Sequence, residues 1–257
     1  MSLTLDLHTP GRSWLHRLDP RVKLVGLGLG MTAAFLLPHP AHLALYTALL
    51  YALLRLAAVP PARIGWLWRQ LRLLLLLILL LQPFFTPAGT AWLTVGPLRL
   101  TSGGLLNALQ LALRVLSLAL LTGCVLFTTK QRALVHGLVW LGIPYSWGLL
   151  LSLTLRFVPA IGKLFVAVRE AQAARGWVAR GNIVQRTRDY LPVLVAVIIG
   201  TLQMSDQLTL ALAARGLAEN APRTVWRPLR MRLSDWLALA VLCGGFLSLT
   251  LWRAGCF

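Results

Sequence analysis

Apolar residues in this chain come in long runs, unlike the alternating or narrowly striped patterns of a water-soluble domain. Residues 71–81 read LRLLLLLILLL and residues 111–127 read LALRVLSLALLTGCVLF. Such runs approach or reach the roughly 17–25 residues that a helix needs to cross about 30 Å of hydrocarbon. Comparable runs fall at 22–37, 42–59, 71–85, 105–128 and 234–252. Each is expected to be a helix, because a helix satisfies its own backbone polar groups where water is absent. The stretch 130–232 departs from this pattern. Its apolar segments are broken by Arg, Lys, Gln and single acidic residues, with Pro144, Pro159 and Pro192 as punctuation, which predicts long amphipathic helices with little lipid contact. The expected architecture is all-α, a polytopic membrane protein with about five transmembrane helices and long amphipathic helices on the cytoplasmic side. It divides into 1–129 with the first four spans, 130–232 with the amphipathic helices, and 233–257 with the last span.

Composition agrees with membrane residence. Of 257 residues 58% are hydrophobic and 12% charged, and the mean hydropathy is +0.73, whereas a soluble domain carries about 25% charged residues. A net charge of +18 would suggest nucleic acid in a soluble protein, but here the cations lie in alternate loops. Arg12, Arg17, Arg21 and Lys23 surround the start of the first run, and the loop 38–41 has no Lys or Arg. Arg63, Arg69 and Arg72 follow the second run, Arg99 alone follows the third, and Lys130 and Arg132 open the long basic stretch. Only Arg253 lies beyond the last run. This alternation follows the positive-inside rule and predicts a cytoplasmic N-terminus, an outer C-terminus and no nucleic-acid partner. Residues 1–20 are polar and have no signal-peptide pattern, so the first helix is expected to insert uncleaved.

Two segments inside 130–232 share a design. In 156–176, Arg156, Lys163 and Glu170 recur every seven residues on one helical stripe, and Ala160, Ala167 and Ala174 form a second, narrow stripe suited to close helix approach. By periodicity alone this equally fits a helix lying at the lipid headgroups. The run 190–216 starts apolar, turns polar at Gln203, Asp206 and Gln207, and ends Ala213-Ala214-Arg215-Gly216, just as the earlier run ends Ala173-Ala174-Arg175-Gly176. Gly just past the last turn caps a helix in the left-handed conformation. Arg in that turn meets the negative end of the helix dipole and presents a planar fork that pairs bidentately with carboxylates. One copy would be an ordinary helix end, and Ala179-Arg180-Gly181 shows how cheaply the tripeptide arises. Two copies ending two long helices point to docking tips.

These residues resemble the T components of energy-coupling-factor importers, the EcfT and CbiQ-like transmembrane proteins. Leu18-Asp19-Pro20-Arg21-Val22-Lys23-Leu24 is similar to the family's N-terminal signature. Leu113-Arg114-Val115-Leu116 with Phe127-Thr128-Thr129 resembles its central helix, and Leu155-Arg156-Phe157-Val158-Pro159 the start of its coupling helices. Ala174-Arg175-Gly176 and Ala214-Arg215-Gly216 match its two Ala-Arg-Gly motifs. The resemblance implies a non-catalytic scaffold in a bacterial or archaeal cytoplasmic membrane. Its two coupling helices, supported at Arg156, Pro159, Glu170 and Asp206, would seat their tips in two cytoplasmic ATP-binding subunits. A small membrane-embedded substrate-binding (S) component would bind the vitamin or transition-metal ion and be moved by those helices. Specificity in that family resides in the S component, so cobalt, nickel, biotin and thiamine are not distinguished by this chain.

What the sequence lacks agrees with that role. There is no Gly-x-x-x-x-Gly-Lys-Ser/Thr phosphate loop, so energy must come from a partner. The acidic residues are Asp6, Asp19, Glu170, Asp189, Asp206, Glu219 and Asp235, with no spaced pair inside a span, and Cys124, Cys243 and Cys256 are far apart. Catalysis, a cofactor and a metal site are therefore not expected. Asn107, Gln110, Arg114 and Ser117 form a polar face on the fourth span that should look into the bundle, with Arg114 in a structural contact to carbonyls or helix ends, or supporting the S component. His39 and His42 lack a third ligand and are read as a turn. A conventional binding-protein-dependent permease is the nearest rival: Glu170-Ala171 followed by Gly176 echoes its coupling element, but position 172 is Gln where that element has Ala, and a second tip is not expected there. A membrane-embedded enzyme would need a nucleophile with a base or an acidic cluster.

Overall fold

The structure is a computed structural model that describes residues 9, 11, 13–85, 91–95, 98–177, 183–216 and 231–255. The described chain is helical apart from one small antiparallel hairpin, and it divides into two compact units.

The larger unit holds a short helical turn α1 (Trp14–Arg17), α2 (Pro20–Leu36), α3 (Pro40–Leu56), α4 (Pro61–Phe85), the hairpin strands β1 (Ala91–Val95) and β2 (Leu98–Thr101), α5 (Ser102–Thr128), α6 (Gln131–Trp140) and the last helix, α10 (Leu233–Gly255). Its centre is α5, against which α2, α3 and α4 pack, while α6 and α10 lie on α2. The core gathers Leu50 and Leu54 of α3, Ile64 of α4 and Leu120, Cys124 and Phe127 of α5. Two close approaches depend on glycine. A Cβ on Gly30 would stand 2.7 Å from Leu121 Cδ2 and 2.9 Å from the Tyr46 hydroxyl, and that hydroxyl donates to the Gly30 carbonyl at 3.0 Å. A Cβ on Gly26 would stand 3.0 Å from Leu242 Cδ1, so α10 can sit close against α2.

The smaller unit holds α8 (Ile183–Asp189), α9 (Leu191–Ala214) and nearly all of α7 (Tyr145–Ala174). Among the described residues five helices are long and apolar enough to cross a membrane: α4, α5, α7, α10 and a stretch through α8 and α9. The number agrees with the sequence expectation, but the set differs. The first two expected spans, α2 and α3, are 17 residues each, and α7 and α9 join the apolar set. The reason is visible in α7. It begins at Tyr145 rather than near Arg156 and continues through Pro159, so its first half opens on YSWGLLLSLTL, a mostly apolar run without a charged residue. A proline inside a helix forgoes one backbone bond without ending the helix when flanking turns and neighbours hold it. Pro192 sits in the first turn of α9, where its missing N–H costs nothing. The hairpin was not foreseen; the sequence pattern suggested only a loop there.

Candidate coupling tips and the N-terminal clasp

Each of the two tetrapeptides ends its helix on a left-handed glycine. Gly176 has φ +84° and Gly216 φ +72°, the left-handed conformation that glycine adopts without a Cβ penalty. After α7, the Trp177 N–H donates to the Gln172 carbonyl and the Gly176 N–H to the Ala173 carbonyl, both at 3.0 Å. This is a Schellman cap, which satisfies carbonyls that the helix itself leaves open. After α9, the Gly216 N–H donates to the Ala213 carbonyl at 2.9 Å. Ala174, Arg175, Gly176, Ala214, Arg215 and Gly216 are all exposed. Ala179-Arg180-Gly181 lies outside the described residues.

Within this unit α7 and α9 run antiparallel. They approach where a Cβ on Gly200 would stand 3.0 Å from Leu164 Cδ2. Beyond that point the Trp177 indole N–H donates to the Asp189 carbonyl at 2.6 Å, and its ring packs edge-on to Tyr190 with centroids 5.0 Å apart. The end of α7 therefore lies beside the start of α9. Arg175 stands about three turns from the Leu164 contact and Arg215 about four turns from Gly200 in the opposite direction, which separates the tips by roughly 40 Å at 5.4 Å per turn. Arg156, Lys163 and Glu170 are all exposed, as are Gln203, Asp206 and Gln207 on α9. Pro159 is half-buried within α7. The alanine stripe is not where the helices meet: Ala167 and Ala174 are exposed, and Leu164 makes the approach. Gly200 opposite allows a bulkier residue there than the stripe would.

The N-terminal signature is a buried clasp in the larger unit. The Asp19 carboxylate caps α2 by accepting the Arg21 N–H at 3.0 Å, and Pro20 opens the helix, where its fixed φ is already helical. The Asp19 N–H donates to Asp235 Oδ1 at 3.0 Å, and Asp235 Oδ2 accepts the Arg232 N–H at 2.7 Å. Lys23 Nζ donates to the Thr128 carbonyl at 3.1 Å and to Thr129 Oγ1 at 3.0 Å. Asp19, Lys23, Thr128, Thr129 and Asp235 are all buried. Arg21 lies over the Trp140 ring of α6 at 4.9 Å. Two motifs quoted separately from the sequence, around Lys23 and at Phe127-Thr128-Thr129, thus meet in space. Asp235, the partner that closes the clasp, carries one signal in the sequence: an acid in the first turn of an apolar helix.

A family model described as CbiQ, cobalt transport protein, matches residues 11–224. The chain belongs to this family. It is 32% identical over 254 residues to the energy-coupling factor transporter transmembrane protein EcfT of Listeria innocua, covering 94% of this chain and 96% of that one. Identity to the EcfT of Streptococcus equi is 31% over 261 residues, covering 95% of each chain. A putative ABC transporter ATP-binding protein of Bifidobacterium longum is 33% identical over 242 residues, 91% of this chain but 31% of its own length. This T component is therefore a multi-pass transmembrane component of an energy-coupling-factor transporter, and the conventional permease is set aside.

The polar face of α5 in this T component is structural at Arg114. Its Nε–H donates to the Ala34 carbonyl in the last turn of α2 at 3.1 Å, and its guanidinium lies over Phe35 at 5.3 Å. A cation at a helix C-terminus meets the negative end of the dipole. His39 is the N-cap residue of α3, and His42 packs edge-on to Trp252 with centroids 5.3 Å apart. Cys124 is buried in the core and Cys243 is exposed on α10, while Cys256 lies outside the described residues.

Proposed function

We propose that this chain is the coupling scaffold of its importer, transmitting the motion of a cytoplasmic ATPase pair to a small membrane-embedded S component that carries a vitamin or a transition-metal ion. The observation that carries this is the pair of exposed arginine tips, each followed by a left-handed glycine. Each arginine stands at a helix end immediately before its capping glycine, and such a tip fits an acidic groove on a soluble partner. ATP hydrolysis takes place in those partners. The name of the Bifidobacterium longum relative, an ATP-binding protein much longer than its match to this chain, supports a working association of this unit with an ATPase.

In this reading the N-terminus is cytoplasmic, the C-terminus is outside, and residues 130–232 form the coupling region in a bacterial or archaeal cytoplasmic membrane. The alternating basic loops support that orientation. The apolar first half of α7, with Trp147, Leu150 and Leu151 exposed, is the seat of the S component. Asp19, Pro20, Arg21 and Lys23 hold the larger unit together.

Coexpression with the transporter's ATP-binding subunits tests the reading. Arg175→Glu and Arg215→Glu place a carboxylate where a carboxylate partner is expected, and each should lower the ATPase recovered with the chain by at least tenfold, since losing one side of an interfacial charge pair costs about 2–5 kcal/mol. Full ATPase recovery and uptake in the double variant overturns the assignment.

A further inference from the structure

We propose that the larger unit holds a phospholipid in a groove between α3, α4 and α5, with an anionic headgroup at Arg55 and an acyl chain along the groove floor. The groove is a cavity of about 550 Å3 whose lining includes Thr47, Tyr51, Arg55, Gly65, Trp68 and Leu116. That volume lies within the usual range for small-molecule sites. On α3 its lining runs from Ala44 to Arg55, about three turns or roughly 16 Å along the helix. This is close to half the roughly 30 Å hydrocarbon thickness, the depth of one leaflet. The groove thus has the length of one lipid tail and is walled by helices of a membrane-spanning unit.

Charge selects the headgroup. Arg55 stands in the last turn of α3 and is exposed, at the end of the groove where the chain turns into α4. Arg63, Arg69 and Arg72 follow within the first half of α4, and the sequence holds no Asp or Glu between Asp19 and Glu170. The rim has no carboxylate of its own to neutralise it along this stretch, so a phosphate diester is its matching counterion. Exposed Tyr51, Trp66 and Trp68 stand at the same level, where aromatic residues settle at the headgroup boundary. A neutral protein surface would meet the groove floor but leave the arginines unmatched.

Gly65 makes the test clean. It lines the groove, and a Cβ there would meet nothing within 4 Å, so a large side chain can enter the groove without displacing the core. Gly28 on α2 is equally open and does not line the groove, so it serves as the control. The full chain is reconstituted into phosphatidylcholine nanodiscs with trace phosphatidylglycerol or phosphatidylcholine bearing a photoreactive group in the acyl chain, and labelled peptides are mapped. Phosphatidylglycerol should label the 44–71 region about fivefold more than phosphatidylcholine, the ratio expected for one arginine at an anionic headgroup. Arg55→Gln should erase that preference, Gly65→Phe should erase the labelling itself, and Gly28→Phe should change neither, with gel filtration and melting confirming that each variant is folded. Equal labelling by the two lipids in the wild-type chain overturns the proposal. So does labelling that survives Gly65→Phe in a folded variant, or crosslinking of the groove to a protein subunit in place of lipid in the assembled transporter.

Discussion

Replacing Asp235 with Ala should detach the start of α10 from α2. In a bilayer the apolar surface of α10 gains little by leaving lipid, because lipid tails are as apolar as its partners. Trp236, Leu237, Val241 and Leu251 are indeed exposed. The contact is decided by close packing, as at Gly26 against Leu242, and by the polar clasp. Asp235 is 2% exposed and accepts two backbone N–H groups, from Asp19 and Arg232. A hydrogen bond to a charged acceptor is worth about 1.5–3 kcal/mol, and the Asp19 N–H would be left buried without a partner. Part of that is offset by the cost of keeping a carboxylate buried, so the net loss should be about 3 kcal/mol. For a chain of this size that corresponds to a fall of roughly 6–12 °C in Tm. Asp235→Asn keeps one acceptor and should fall about half as far. The assay is thermal melting of the purified chain in detergent, with gel filtration before heating. A folded Asp235→Ala variant that melts with the wild type would refute the view that this clasp docks α10.

Other substitutions probe packing and tip geometry. Gly30→Val forces a side chain against Leu121 and the Tyr46 hydroxyl and should destabilise by about 1–3 kcal/mol in the same melting assay, whereas Gly28→Ala, which meets nothing, should be neutral or raise stability by up to about 1 kcal/mol. Trp177→Phe keeps a ring against Tyr190 but loses the hydrogen bond to the Asp189 carbonyl, worth about 1 kcal/mol. It should lower transport less than Trp177→Ala does, with ATPase copurification retained in both.

Local signals carried much of this structure. Asp19-Pro20 reads as a cap followed by a first-turn proline, and α2 starts there. The glycines at 176 and 216 read as helix ends, and both adopt the left-handed conformation. Arg114 on an apolar helix had to find an inward acceptor, and it reaches a helix-end carbonyl. Pairings between distant segments were out of reach. The partner of Asp19 lies 216 residues away and that of Lys23 105 residues away, and neither distance leaves a periodic trace. The charged positions from Arg156 onward mask the uncharged run before them, and α7 reaches back to Tyr145, beyond the expected segment. Lipid or a partner can cover one face of such a helix while the other bears Arg156, Lys163 and Glu170. The approach at Leu164 is not marked by a small-residue stripe on α7 itself. Small residues on one helix suggest where a neighbour can come close, but here the small residue, Gly200, is on the neighbour.

The separation of the tips bears on how many partners the proposed coupling needs. A standard protein interface buries about 800 Å2 on each side, a patch roughly 30 Å across. Arg175 and Arg215 lie roughly 40 Å apart along the antiparallel pair, so one such patch does not reach both. Had α7 and α9 run parallel, the same two tetrapeptides would have sat side by side and formed a single basic site. Their antiparallel directions, fixed by the local contacts of Leu164 with Gly200 and of Trp177 with Tyr190, instead give each arginine its own surface. Under the proposed coupling, this spacing favours two ATP-binding subunits over a single one. Under the same proposal the helix pair would act as a lever, because subunits that move relative to each other would pull on tips joined through these two contacts.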